Sequence, residues 1–335
     1  MDIFSIVAYM CCSSSSLGTL KASERTVKVL LPLKPNVFCL LFQLVSMQTG
    51  LQGHDVLTFI FGILTIVLNG VLLAAMYKER RKIFVTRISY LVANLAVSDC
   101  LNGLFAILLL HPIKEMGFRS DIRDLIVLPL VWTAFCVSFF TLFLMAAERL
   151  VVVKLPMVWS TLLTIPRTLI SILCVWLLSA GAGVAIHFHQ YYTQFVICLL
   201  VEFSALSFIA IHVYILWLLR QRDITCKDPS QNTPCLATSR NENIVHRKLT
   251  IVVTILLSLL IVTCVPYFVC LQMFAINNTF DKTLAKKVKI HVYDIVYQYT
   301  DALLYVNFLS NPIIYAWRLR MYRKAFYSLL GRNTS

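Results

Sequence analysis

Seven stretches of the chain, at about 55–77, 88–111, 124–150, 167–187, 194–219, 249–274 and 291–316, are each continuously apolar. Each approaches the ~20 residues that an α-helix needs to cross the hydrocarbon core of a bilayer. The runs lack the period-two alternation of membrane β-strands, and lipid offers the backbone no hydrogen-bond partner, so helices are the expected solution. The fold expected is therefore an all-α membrane protein. An extracellular N-terminal segment, 1–54, precedes a seven-transmembrane helix bundle over 55–316, and 317–335 form a short amphipathic eighth helix and tail. Composition agrees, since 59% hydrophobic and 14% charged residues suit the lipid bilayer rather than water. The formal net charge of +14 is not a nucleic-acid footprint, because the Lys and Arg residues sit in short clusters between apolar runs.

Those clusters set the orientation. Lys78, Arg80, Arg81, Lys82 and Arg87 follow the first run. Arg220, Arg222, Lys227, Arg247 and Lys248 flank the link after the fifth, and Arg318, Arg320, Arg323 and Lys324 follow the seventh. Basic residues mark the cytoplasmic side, which puts the N-terminus outside. Asn277-Asn278-Thr279, between the sixth and seventh runs, is a glycosylation sequon on the side where it is usable; Lys282, Lys286, Lys287 and Lys289 in the same link run against the charge bias. Within residues 1–50, the short apolar run Val37 to Met47 after Lys34 reads as a cleaved leader, a disordered tail or a misplaced start. Most of the eleven cysteines, among them Cys136, Cys174, Cys198 and Cys264, lie in apolar runs without metal-ligand spacing and read as small buried residues. From Arg318 to Leu330 basic residues alternate with aromatic and aliphatic ones, as in a helix lying along the membrane surface.

Polar groups inside apolar helices are the informative positions, because an ionised side chain at the bilayer centre costs ~2.5–3.5 kcal/mol or more unless it faces the bundle interior. They are Asn69 in the first run, Asn94 and Asp99 in the second, Ser138 in the third, and Asn307 and Asn311 in the seventh. The last two are spaced i, i+4 and share a helix face. One carboxylate among neutral oxygens suits a hydrated cation such as sodium, or a proton.

Asn69, Asn94-Leu95-Ala96-Val97-Ser98-Asp99, Glu148-Arg149, Trp176, Pro266 and Asn311-Pro312-Ile313-Ile314-Tyr315 occur in the order and on the helices of a known signature series. In these residues, and over 55–330, the chain resembles the rhodopsin-like (class A) G-protein-coupled receptors. The resemblance implies an allosteric sodium pocket of Asp99, Ser138, Asn307 and Asn311, with no other cofactor. It implies a switch in which Glu148 holds Arg149 at rest and releases it toward a heterotrimeric G protein, with Tyr214 and Tyr315 positioned to receive it. The acidic residue that often locks this Arg from the sixth helix is His246 here, so raised basal activity is an expectation. Pro266 and Pro312 each remove a backbone hydrogen bond and serve as hinges. Cys264 replaces the aromatic toggle two residues before Pro266.

Departures from the series bear on the extracellular ligand. Asp124 stands where a disulfide cysteine is usual, the second outer link, about 187–193, is short, and the fifth run lacks its proline. This set of omissions is similar to the melanocortin, lysophospholipid and cannabinoid branch. Val131 and Tyr305 stand where amine receptors carry Asp and opsins the retinal Lys, which disfavours both ligand classes. In the outer half, Glu202, Asp301, Tyr297 and Tyr305 offer a cationic or hydroxyl-rich ligand a polar surface, and His111 and Lys114 offer an anionic one a foothold. An enzyme is disfavoured by the absence of HExxH, GxSxG or paired catalytic aspartates. A transporter or channel, the other alternative, is disfavoured by only ten glycines and no internal repeat.

Overall fold

The computed structural model describes residues 53–109, 123–155, 159–188, 190–225, 237–279 and 290–329. The chain divides into two units, 1–57 and 58–335. Of the first, only Gly53–Leu57, the opening of a helix, is described; the leader-like run, His111 and Lys114 lie outside the described residues.

Among the described residues every regular element is helical. Eight long helices follow one another: α1 (Gly53–Lys78), α2 (Arg87–Leu109), α3 (Leu128–Lys154), α4 (Ile165–Phe188), α5 (Gln190–Thr225), α6 (Ala237–Thr279), α7 (Ile290–Arg318) and α8 (Arg320–Leu329). Single turns at Arg80–Ile83 and Trp159–Leu162 link α1 to α2 and α3 to α4, and a π-helical turn, Arg123–Val127, leads into α3. Pro129 stands in the first turn of α3, directly after this π-helical turn.

The helices outrun the apolar segments, most of all in α5 and α6, whose polar ends continue to Thr225 and start at Ala237. Hydropathy marks where a helix leaves hydrocarbon, whereas its hydrogen-bond ladder runs on into the aqueous layer. For the same reason the sequon at Asn277 falls in the last turn of α6 rather than in a loop. Among the described residues six helices, α1 to α6, are long and apolar enough to cross a membrane. At 29 residues, or about 43 Å, α7 has the length. Its hydropathy is diluted by Asp294, Gln298, Asp301, Asn307 and Asn311. The expected seventh apolar run is thus a long but partly polar helix, because it contributes much of the polar interior.

Within the second unit α3 is central and packs on α2, α4, α5 and α6, while α7 packs on α2, α6 and α8. Close approach is built into the pairings. A Cβ on Gly103 of α2 would lie 2.7 Å from the Gly62 carbonyl oxygen of α1, and one on Gly183 of α4 would collide with the Thr133 hydroxyl and Pro129 carbonyl of α3. Small residues at such crossings are how membrane helices gain contact without a hydrophobic driving force. At the centre, Phe135 of α3 meets Phe268 of α6 at 5.3 Å and Phe308 of α7 at 6.4 Å between ring centroids. The opposite side of α4, with Leu169, Ile170, Leu173, Leu177 and Leu178, is exposed and apolar, as a lipid-facing surface is.

Helix α8 buries Tyr322 and Ala325 and exposes Arg320, Arg323 and Lys324. The Tyr322 hydroxyl lies 3.3 Å from Ser89 Oγ of α2, Ser328 Oγ donates to Glu79 Oε1 at 2.8 Å, and Lys78 Nζ donates to the Ser328 carbonyl at 2.5 Å. Burial pushes the Tyr322 phenol up to about 12. Hydrogen bonds from Lys82 and then Ser328 hold the Glu79 carboxyl below its ordinary range.

Candidate functional site

Two polar assemblies interrupt the apolar bundle. The first is centred on Asp99 of α2, which is fully buried. Ser138 Oγ of α3 donates to its Oδ1 at 2.7 Å, and Asn311 Nδ2 of α7 donates to its Oδ2 at 2.6 Å. Three helices therefore meet on one carboxylate. Asn69 Nδ2 of α1 donates to the Thr65 carbonyl and, at 3.1 Å, to the Phe308 carbonyl, which fastens α1 to α7.

Several buried polar atoms of the same four helices have no hydrogen-bond partner: Asn69 Oδ1, Asn311 Oδ1, both amide atoms of Asn307, Thr65 Oγ1 and Asn102 Nδ2. Buried polar groups are ordinarily satisfied, so such a group of orphans calls for water or an ion. Uncharged oxygens around one carboxylate suit a hard cation or a proton. No group of three or more His, Cys, Asp or Glu residues that could hold a metal ion occurs among the described residues, which separates this chemistry from that of zinc. All four residues expected to form the pocket are buried, and Asp99, Ser138 and Asn311 are joined directly. Thr65 and Asn102 escaped the sequence reading, because nothing distinguishes an inward Thr or Asn from an ordinary one in an apolar helix.

A second network ties α2 to α3 and α4. Asn94 Nδ2 donates to Thr141 Oγ1 at 2.8 Å, and Asn94 Oδ1 accepts from Trp176 Nε1 at 2.9 Å. Trp176 thus gains the partner that an indole N–H seeks when it leaves water.

The other assembly lies toward the end of α3. Glu148 and Arg149 are only 7% and 4% exposed, and Arg149 Nη2 stands 3.2 Å from Glu148 Oε1. The same oxygen lies 3.6 Å from Arg87 Nε at the start of α2, a partner the sequence reading did not find. Sixty-one positions separate the two residues, and Arg87 read as a topological charge. Its guanidinium also donates to the Leu163 carbonyl and covers the Trp159 ring at 4.7 Å. Tyr315 is buried, donates to Met145 Sδ at 3.9 Å one turn before Arg149, and packs on Tyr322. Tyr214, 38% exposed, stacks on Trp217 and lies under Lys154 Nζ, so the ring and hydrogen-bond partners described for the two tyrosines do not include Arg149. The His246 side chain lies outside the described residues.

Pro266 and Pro312 sit inside α6 and α7. Cys264 is buried, and the aromatic of α6 that packs on α3 comes one turn later, from Phe268. In the proposed ligand region Glu202 is half-buried with Oε1 lacking a hydrogen-bond partner, Asp301 is half-buried, and Tyr305 is buried against Phe308. The Tyr297 side chain lies outside the described residues. A single residue separates α4 from α5, and Thr193 Oγ1 donates to the Ala185 carbonyl across the junction, so this link is shorter still than the expected 187–193.

Residues 68–315, about three quarters of the chain, match the family described as 7 transmembrane receptor (rhodopsin family). The match begins next to Asn69 and ends on Tyr315, so it takes in both polar assemblies except for Thr65. A chain with apolar helices of spanning length that matches this family over most of its length is a multi-pass membrane receptor rather than an enzyme; it belongs to the rhodopsin family of seven-transmembrane receptors.

Proposed function

We propose that this receptor binds an extracellular ligand and activates a heterotrimeric G protein by opening the end of the bundle that carries Glu148 and Arg149. The N-terminus is then outside, α8 lies along the cytoplasmic face, and the protein works in the plasma membrane. The observation that carries this reading is the buried Glu148–Arg149 pair at a helix end. A buried ion pair contributes little net stability but is costly to break, which makes it a better latch than a brace. Ligand binding shifts an existing equilibrium between latched and open packings. The prolines let α6 and α7 move, and the Phe135–Phe268 contact relays displacement of α6 to α3.

The donor set fits an allosteric sodium ion held by Asp99 with Ser138, Asn307 and Asn311. Bound there, the ion supplies positive charge that offsets the buried carboxylate and favours the packing in which α2, α3 and α7 stay joined. The ligand class supported by the unpartnered Glu202 oxygen is cationic or hydroxyl-rich, with Asp301, Tyr297 and Tyr305 as further contacts. Arg149→Ala tests the reading. Nucleotide exchange on purified heterotrimers is expected to vanish while surface expression persists, because Glu148 keeps Arg87 as a partner. Undiminished exchange refutes the switch.

A further inference from the structure

One buried carboxylate here faces two guanidinium groups, and they differ in how they are held. Both Arg149 Nη2 and Arg87 Nε approach Glu148 Oε1, at 3.2 and 3.6 Å, while Glu148 Oε2 and Arg149 Nε have no hydrogen-bond partner. Arg149 has no anchor beyond Glu148 in the contacts described. By contrast, Arg87 is fixed by the Leu163 carbonyl and the Trp159 ring, both in the link between α3 and α4, so its position does not depend on Arg149. Arg87 is 15% exposed, and solvent screens its charge only partly.

We infer that Arg87 is the standing counter-ion of Glu148, a positioning residue that keeps this carboxylate paired after Arg149 leaves and thereby makes the open state accessible. The inference rests on the switch proposed above. Releasing Arg149 from a lone carboxylate would strand a buried negative charge, the costly way to break such a pair. With Arg87 already in place the charge stays neutralised, and the slack at 3.6 Å closes once the competing cation has gone. Mutual repulsion between the two guanidinium groups, which share one oxygen in the latched state, acts in the same direction. A sequence in which the resting latch has only one cation lacks both contributions. Arg87 therefore sets how often the receptor opens without ligand.

The test uses the full chain in nanodiscs with a panel of purified heterotrimers, reading ligand-free nucleotide exchange. Arg87→Gln keeps a planar polar head for Leu163 and Trp159 but removes the charge, and is expected to lower basal exchange roughly fivefold or more. Arg87→Lys keeps the charge and is expected to recover most of it. In a Glu148→Gln background, where no carboxylate needs a partner, Arg87→Gln is expected to change exchange less than about twofold, within the additivity of independent sites. Unchanged or raised exchange in Arg87→Gln overturns the inference. An equal drop in the Glu148→Gln background also overturns it, by showing that Arg87 acts through the Trp159 link instead. Failure of the underlying switch reads differently: Glu148→Gln would then leave exchange at the wild-type level, and Arg149→Ala would not abolish it.

Discussion

Replacing Asp99 in two ways separates its charge from its packing. The carboxylate accepts one hydrogen bond from Ser138 and one from Asn311, and both partners are donors. Asp99→Ala strands a buried hydroxyl and a buried amide, each at about 1–3 kcal/mol, so the bundle should lose roughly 2–6 kcal/mol. Asp99→Asn fares better for a reason visible in Asn311, whose Oδ1 is unpartnered. If the Asn311 amide turns over, its oxygen accepts from the new side-chain amide, while the Ser138 hydroxyl still finds an oxygen. Both hydrogen bonds survive in neutral form, and the desolvation cost of a carboxylate disappears, leaving a net change of about 1 kcal/mol or less. The cation loses its only formal charge partner in either variant. Thermal unfolding in detergent, with choline replacing sodium at constant ionic strength, reads both effects. A bound ligand at a hundredfold excess over its dissociation constant stabilises by about 2.7 kcal/mol, enough to raise the wild-type midpoint visibly. The expected pattern is a sodium-dependent rise in the wild type, a flat response at near-wild-type stability in Asp99→Asn, and a flat, lowered one in Asp99→Ala. A full sodium response in Asp99→Asn, or equal stability of the two variants, refutes the reasoning.

Two further outcomes follow from packing. Asn94→Ala, Trp176→Phe and the double variant form a cycle whose coupling should be near 0.6 kcal/mol and no more than about 1.7, measured by chemical unfolding in micelles; a value indistinguishable from zero would mean the Asn94–Trp176 bond is not retained in lipid. Gly103→Val and Gly183→Val should each sharply cut surface expression, since their Cβ atoms meet backbone oxygen that cannot step aside, whereas the same change at Gly70, which has open space around it, should be tolerated.

The bundle and most of its polar interior are legible in the chain because the bilayer removes alternatives. A run of twenty apolar residues has one way to satisfy its backbone, and a lone Asp99 or Asn311 within it has few directions to point. What sequence could not supply was contact between distant positions. Arg87 carries the same charge as its neighbours Arg80 and Arg81, and only the fold brings it to Glu148. Tyr214 stacks on Trp217, three residues on along the same helix, a contact that i, i+3 spacing makes available whatever its hydroxyl does. The apolar runs 194–219 and 249–274 match the spanning parts of α5 and α6, while their polar extensions carry no hydropathy signal, and α7 was recognisable by its polar stripe more than by its greasiness.

The near-absence of a linker between α4 and α5 has a mechanical corollary. Two rods joined by one residue and stitched by Thr193 cannot part at that end, so whatever freedom α5 possesses must be expressed at the other. With 36 residues α5 is about 54 Å long. A tilt of about 5° about the junction sweeps its far tip through roughly 5 Å, approximately one helical turn. A disturbance too slight to register at the junction would thus arrive at Thr225 already magnified, by leverage alone.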